Sequence, residues 1–198
     1  MTGFDKVLAK LQADKEFLVP FSAEEKARFF EMEVKAREYA SKFFKLLCNE
    51  SPEILDSNVL PIVCRDELSE IAKAGYASSI SPAAFKHGGT SGKQAAIYIN
   101  LPRREKSAAL HKTLKQYIRH EIIHYFLWVN SLPFEDDTAL FWAYCFLYDG
   151  AAYKALNESE RQKFERFKDW RVAEGSTCSF ARAQREANKI CTRQEADT

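Results

Sequence analysis

Residues 107–130 carry the pattern that most constrains this chain. Apolar side chains recur at Leu110, Leu114, Tyr117 or Ile118, Ile122, Phe126 and Val129, a helical period, and in the C-terminal half they spread nearly all round the helix. Such a helix needs cover on most of its sides, so it is predicted to be the central element around which the rest of the chain packs. Set into this apolar stretch are three ionisable residues, His120, Glu121 and His124. Burying three such groups at neighbouring positions is costly unless something compensates them.

The spacing suggests what does. Two residues four apart on an α-helix lie on one face, about 6 Å apart along the axis, so the imidazoles of His120 and His124 can converge on a single ion. Glu121 stands about 100° round the helix from His120; it cannot easily point at the same ion but can reach a water bound to it. Zinc lowers the pKa of such a water to about 7. The carboxylate can then take a proton as the water attacks a carbonyl and pass it to the leaving amine. The chain has only four histidines, and composition alone would produce His-Glu-x-x-His in roughly one such chain in a hundred.

A catalytic zinc takes three protein ligands and keeps one position open. Of the other histidines, His111 is nine residues before His120 on the same predicted helix, about 13 Å along its axis, and His87 sits at the edge of a glycine-rich stretch. The acidic triplet Glu135-Asp136-Asp137 is better placed, because a turn through residues 130–134 would bring the start of the next helix back toward the motif. Asp137 is the expected third ligand and Glu135 the reserve. The same acids would serve as ordinary N-caps if no metal were bound.

The rest of the chain reads as mostly helical. A helix is predicted over residues 22–50, with Ser22 and Glu25 as a capping box and Phe29, Phe30, Val34, Phe43, Phe44 and Leu47 as its apolar stripe. Residues 58–64 read as a short strand, 67–74 as a short helix, 87–92 as a glycine-rich loop and 95–101 as a strand closed by Pro102. A further helix starts at Asp136 or Asp137 and runs through Leu147, and a polar helical tail follows from residue 157, broken near Gly175. The expected architecture is α+β: a single domain that resembles zincins in its motif helix (zincin-like), mostly helical, with a small β-sheet preceding the His-Glu-x-x-His helix. Its segments are an N-terminal helical part (1–52), a catalytic core (53–156) and the tail (157–198).

With 198 residues, of which 46% are hydrophobic, the chain can bury one substantial core. A formal charge of +1 lacks the broad positive field of a dedicated nucleic-acid binder. The five cysteines, odd in number and without a Cys-x-x-Cys pair, suggest neither a disulfide framework nor a zinc ribbon. No apolar run approaches the roughly 20 residues that span a bilayer. A cytoplasmic protein without membrane association is expected.

Residues 119–146, Arg119-His120-Glu121-Ile122-Ile123-His124-Tyr125-Phe126-Leu127-Trp128 through Asp137-Thr138-Ala139-Leu140-Phe141-Trp142, resemble the catalytic core of SprT-like zincin metallopeptidases. In that family the motif helix is followed by a second helix that opens with the third ligand and then an aromatic. Here Asp137 stands where the family has histidine, and a carboxylate ligand is more similar to the minigluzincins. The resemblance implies a peptidase with a protein or peptide substrate, zinc on His120, His124 and Asp137, and Glu121 as catalytic base and acid. It also implies that the strand 97–101 is the sheet edge on which an extended peptide is held.

Two other readings remain open: a zinc-stabilised binding module or pseudoenzyme without turnover, and a DNA-associated SprT-like protease. The second would use the basic residues Arg103, Arg104, Lys106, Lys112, Lys115 and Arg119, which otherwise read as a solvated face. Tyr125, Tyr144 and Tyr148 are candidate oxyanion donors. Cys178 is a candidate inhibitory thiolate. Each of these four reads equally as packing or loop structure.

Overall fold

The computed structural model describes residues 21–48, 60–66, 82–87, 95–102, 107–175 and 177–192. Within them the order is α1 (Ala23–Leu47), β1 (Ile62–Asp66), β2 (Ala83–His87), β3 (Ala95–Leu101), α2 (Lys112–Val129), α3 (Ala139–Tyr148), α4 (Glu158–Glu174) and α5 (Phe180–Thr192). The class is α+β, mostly helical with a small sheet, as expected. The helix expected over 67–74 and the loop over 88–92 lie outside the described residues. Contacts divide the chain into two compact units, Met1–Ser41 with Pro61–Lys115, and Lys42–Leu60 with Gln116–Thr198.

In the first unit, α1 starts as the capping box requires. Glu25 N–H donates to Ser22 Oγ at 3.1 Å, and Ser22 N–H donates to Glu25 Oε2 at 2.7 Å. Three i,i+4 ion pairs line the outside, Glu24–Arg28, Glu31–Lys35 and Glu33–Arg37. Pairs of this kind contribute about 0.3–0.5 kcal/mol each, so burial rather than charge fixes which face turns inward. In the N-terminal half of α1 that face is Met32, Ala36 and Ala40, not the expected Phe30 and Val34, which are exposed, whereas the expected Phe43, Phe44 and Leu47 are buried. Phe30 lies about 200° round the helix from Met32, so both cannot be inside. Arg37 Nη1 donates to the Ile62 carbonyl at 2.8 Å and ties α1 to β1.

The sheet has the order β1-β3-β2, with β1 parallel and β2 antiparallel to β3. Ile62, Ile97 and Phe85 stand in register, as do Cys64, Ile99 and Ala83. Ile97, Ile99 and Leu101 are wholly buried, whereas on the opposite face Tyr98 packs under the Arg65 guanidinium, 3.6 Å from its ring centroid. The period of two thus gives a one-sided sheet. Because β3 is hydrogen-bonded on both sides, it is the central strand and cannot be the free edge that peptide addition requires. β2 was not anticipated: Ala83-Ala84-Phe85-Lys86-His87 lacks the β-branched residues that mark a strand in sequence.

In the second unit, α2 is buried on almost every side, with Ile118, Ile122, Ile123 and Leu127 fully covered. α3 begins at Thr138, whose Oγ1 accepts from Phe141 N–H at 3.3 Å, and ends at Asp149 in the left-handed region. The Glu160 carboxylate of α4 accepts the free N–H of Ala139 at 2.7 Å, so a neighbouring helix supplies a second cap to α3. The residues after 157 are therefore more than a polar tail. Phe164 and Phe167 of α4 and Ala183, Ala187 and Cys191 of α5 are buried. Gln184 Nε2 donates to the Leu47 carbonyl at 3.2 Å, and Tyr144 Oη donates to Asn188 Oδ1 at 3.1 Å.

Candidate metal centre

Everything in the site belongs to the second unit. His120 and His124 project from one face of α2, one turn apart, with their Nε2 atoms 3.1 Å from each other. The side chain that joins them is Asp136. Its Oδ1 lies 3.3 Å from His120 Nε2 and 3.4 Å from His124 Nε2. These three residues are the metal-competent cluster among the described residues.

The protonation of the rings follows from their other nitrogens. His120 Nδ1 meets the Ala151 carbonyl and His124 Nδ1 meets the Phe134 carbonyl, each at 2.5 Å. A carbonyl only accepts, so each Nδ1 carries a proton, which leaves Nε2 as the atom of each ring that can ligate a metal. Burial, and then the neighbouring His124, push the His120 pKa down to about 4, which keeps that ring neutral. The Asp136 Oδ1 between them is buried, and the His124 ring beside it holds its carboxyl below the usual carboxylate range. Two ring nitrogens and a carboxylate oxygen thus converge on one point, close enough together for a shared cation to bridge them.

The dimensions agree. Four ligands placed tetrahedrally at about 2.0–2.1 Å from a zinc ion are separated from one another by about 3.3 Å. The observed separations of 3.1, 3.3 and 3.4 Å bracket that value.

The loop before α3 delivers the carboxylate. Ser131 takes a left-handed conformation, φ 55°, and turns the chain after α2. The Phe134 carbonyl then accepts from His124, the Asp136 carbonyl accepts from Trp142 Nε1 at 2.9 Å, and Thr138 Oγ1 donates to the Glu135 carbonyl at 2.9 Å. Asp137, the expected ligand, is not in the cluster. Its Oδ2 pairs with Lys154 Nζ at 2.6 Å, and Glu135, the reserve, is exposed. The difference arises because Thr138, not an aspartate, caps α3, which leaves Asp136 and Asp137 in the loop with neighbouring side chains pointing to different partners.

A second loop holds the other ring. Arg119 Nη1 donates to the carbonyls of Tyr148 and Asp149, each at 2.9 Å, and to Asp149 Oδ2 at 2.8 Å, while Gln116 Nε2 donates to Asp149 Oδ1 at 2.9 Å. Residues 116 and 119 of α2 thereby anchor the turn that brings the Ala151 carbonyl to His120. Outer partners of this kind fix ring orientation and ligand basicity. Phe141, wholly buried, stacks on His124 at 4.0 Å and meets His120 edge-on at 4.9 Å, closing the apolar side.

Glu121 is also buried, with Oε1 3.7 Å from His120 Nε2. The remaining candidates have other roles. Tyr125 packs on Phe44, Tyr144 bonds Asn188, and Tyr148 packs between Phe43 and Phe180. Cys178 donates its thiol to the Ser179 carbonyl at 3.6 Å. His111 caps α2 by accepting from Leu114 N–H at 3.1 Å, and His87 ends β2 in the first unit. Arg119 is engaged with the turn after α3, and Arg103, Arg104 and Lys106 lie outside the described residues. All five cysteines are free, and no helix among the described residues is long and apolar enough to cross a membrane.

Compared with known proteins, the chain matches no family model, no curated protein and no solved structure.

Proposed function

We propose that this chain is a zinc-dependent metallopeptidase of the zincin type, with His120, His124 and Asp136 as metal ligands and Glu121 as general base and acid. The observation that carries the reading is the triangle of His120 Nε2, His124 Nε2 and Asp136 Oδ1 with sides of 3.1–3.4 Å, the spacing of three corners of a zinc tetrahedron. When bound, zinc would supply Lewis-acid activation of a water and of the substrate carbonyl. The chain's own residues do the rest. The Ala151 and Phe134 carbonyls hold both rings in the ligating tautomer. Glu121, buried beside His120, takes the proton of the attacking water and returns it to the leaving amine. Phe141 excludes water from the far side of both rings. A carboxylate on the loop before the following helix supports the likeness to minigluzincins more than to the histidine-ligated SprT-like enzymes, a fold-level analogy. The free thiols fit a reducing compartment.

One observation favours a second reading, a zinc-stabilised module without turnover: both imidazole side chains are more than nine-tenths buried. The two are separated by metal analysis combined with Glu121→Gln. A peptidase retains stoichiometric zinc in this variant and loses hydrolysis of unfolded protein by at least two orders of magnitude. Full activity in the zinc-loaded variant would overturn the mechanism. Zinc without turnover on any peptide library, in the wild type, would establish the structural role.

A further inference from the structure

The Asp136 carboxylate is presented by a stretch without regular structure, and three successive carbonyls of that stretch are each held by a donor. The Phe134 carbonyl meets His124 Nδ1. The Glu135 carbonyl accepts from Thr138 N–H at 3.1 Å and from the Thr138 hydroxyl at 2.9 Å, and the Asp136 carbonyl accepts from the Trp142 indole N–H at 2.9 Å. The first two donors have further roles, His124 in the metal-competent cluster and Thr138 as the cap of α3. Trp142 has no such role. Its ring meets Phe164 edge-on at 5.6 Å, a contact that another aromatic side chain could make. What the indole adds is a single N–H, aimed from the first turn of α3 back into the loop.

We infer that Trp142 is a positioning residue for the metal centre: its indole N–H sets Asp136, and not Asp137, as the carboxylate that faces the two imidazoles. The peptide unit between the two aspartates is planar, so a hydrogen bond on the Asp136 carbonyl fixes ψ of Asp136 and φ of Asp137 together. Those two angles set the directions in which the two side chains leave the loop. With that plane held, Asp136 Oδ1 lies 3.3 Å from His120 Nε2 and 3.4 Å from His124 Nε2, while Asp137 Oδ2 meets Lys154 Nζ. Lys154 favours the same arrangement but holds it weakly, because an ion pair exposed on both sides contributes little. The indole hydrogen bond is half-buried and meets less competition from water. The inference rests on the metal-binding part of the proposed function and not on turnover.

The test measures zinc affinity of the full-length protein by chelator competition, and the visible spectrum of the cobalt-substituted protein, whose bands report the ligand set. Trp142→Phe keeps a ring against Phe164 and removes the donor. Zinc affinity is expected to fall about 10- to 100-fold, the range for outer partners of a ligand, and the cobalt bands to shift. In an Asp136→Ala background the same substitution is expected to change affinity by less than about threefold, because a residue that acts through Asp136 then has nothing left to position. Phe164→Leu, which loosens the packing and keeps the donor, is expected to stay within about threefold of wild type. Unchanged affinity in Trp142→Phe would overturn the inference. So would an equal loss in Phe164→Leu, or an undiminished effect of Trp142→Phe without Asp136, since either would assign the effect to packing. The Trp142 indole N–H resonance of isotope-labelled wild type covers the case of a variant that does not fold: it should shift on zinc addition, and an unmoved resonance would overturn the inference. A wild type that binds zinc and cleaves no peptide removes the peptidase reading and leaves the role of Trp142 standing, whereas one that takes up neither zinc nor cobalt removes both.

Discussion

Asp136 and Asp137 are consecutive in the chain and meet different partners: Asp136 Oδ1 sits 3.3 and 3.4 Å from the Nε2 atoms of His120 and His124, whereas Asp137 Oδ2 meets the Lys154 ammonium at 2.6 Å. Asp136→Ala is expected to weaken zinc binding by more than 100-fold, since loss of outer-shell partners alone costs 10–100-fold. Asp137→Ala is expected to stay within about tenfold of wild type, at the lower edge of that outer-shell range. Competition against a chromophoric chelator distinguishes them, and equal losses in both variants would contradict the assignment.

Arg119 predicts an effect at a distance. Its guanidinium holds two carbonyls and a carboxylate of the turn that positions Ala151. Arg119→Met keeps the aliphatic stem and removes the clamp. Zinc affinity should fall about 10- to 100-fold, and apo stability by about 1–3 kcal/mol as those carbonyls lose their donor. Denaturant titration with and without zinc separates the two effects.

Gly150 is fixed by space. A Cβ there would stand 3.2 Å from Cys145 Sγ and from Ile123 Cδ1, and 3.3 Å from Cys145 Cα. Gly150→Ala should therefore destabilise by about 1–3 kcal/mol. Adding Cys145→Ala should recover only part of this, because the backbone contact remains; a fully additive double mutant would show that the crowding is not shared.

Metal removal should be visible in thermal melting. A ligand present at one hundred times its Kd stabilises by about 2.7 kcal/mol, which for a chain of this size corresponds to roughly 5–10 °C in Tm. Addition of a chelator should lower Tm by that amount in wild type and leave His120→Ala unchanged.

Buried thiols set an alkaline limit. Burial raises Cys48 to about 11 and Cys191 to about 12. Above pH 9 the unfolded chain ionises these thiols while the folded one does not, so stability should decline from about pH 9 upward and level off only beyond the folded values. Cys191→Ala should flatten that slope; an identical slope would exclude the thiol as its source.

How far the sequence could be read follows from the range of the forces involved. The capping box at Ser22 and Glu25, the strand 95–101 and the central helix were legible because each is fixed by neighbours within a few residues. The convergence of His120 and His124 was legible for the same reason. The third carboxylate was not. Asp136 and Asp137 differ only in what they meet, and Lys154, which draws Asp137 away, is seventeen residues further on. Phe43, Phe44 and Leu47 of α1 were read correctly as inward, but its N-terminal half was misread because Ala36 and Ala40 are inconspicuous by hydrophobicity but small enough for close approach, while Phe30 is conspicuous and exposed.

Both imidazoles take their orientation from main-chain oxygens, at Phe134 and Ala151. Oxygens of that kind survive any single amino-acid exchange that preserves the local path of the chain. The centre should thus withstand side-chain variation at these two positions yet fail on insertion or deletion of even one residue in either connecting segment. Drift in loop length, more than drift in residue identity, is what descendants of this sequence could not tolerate.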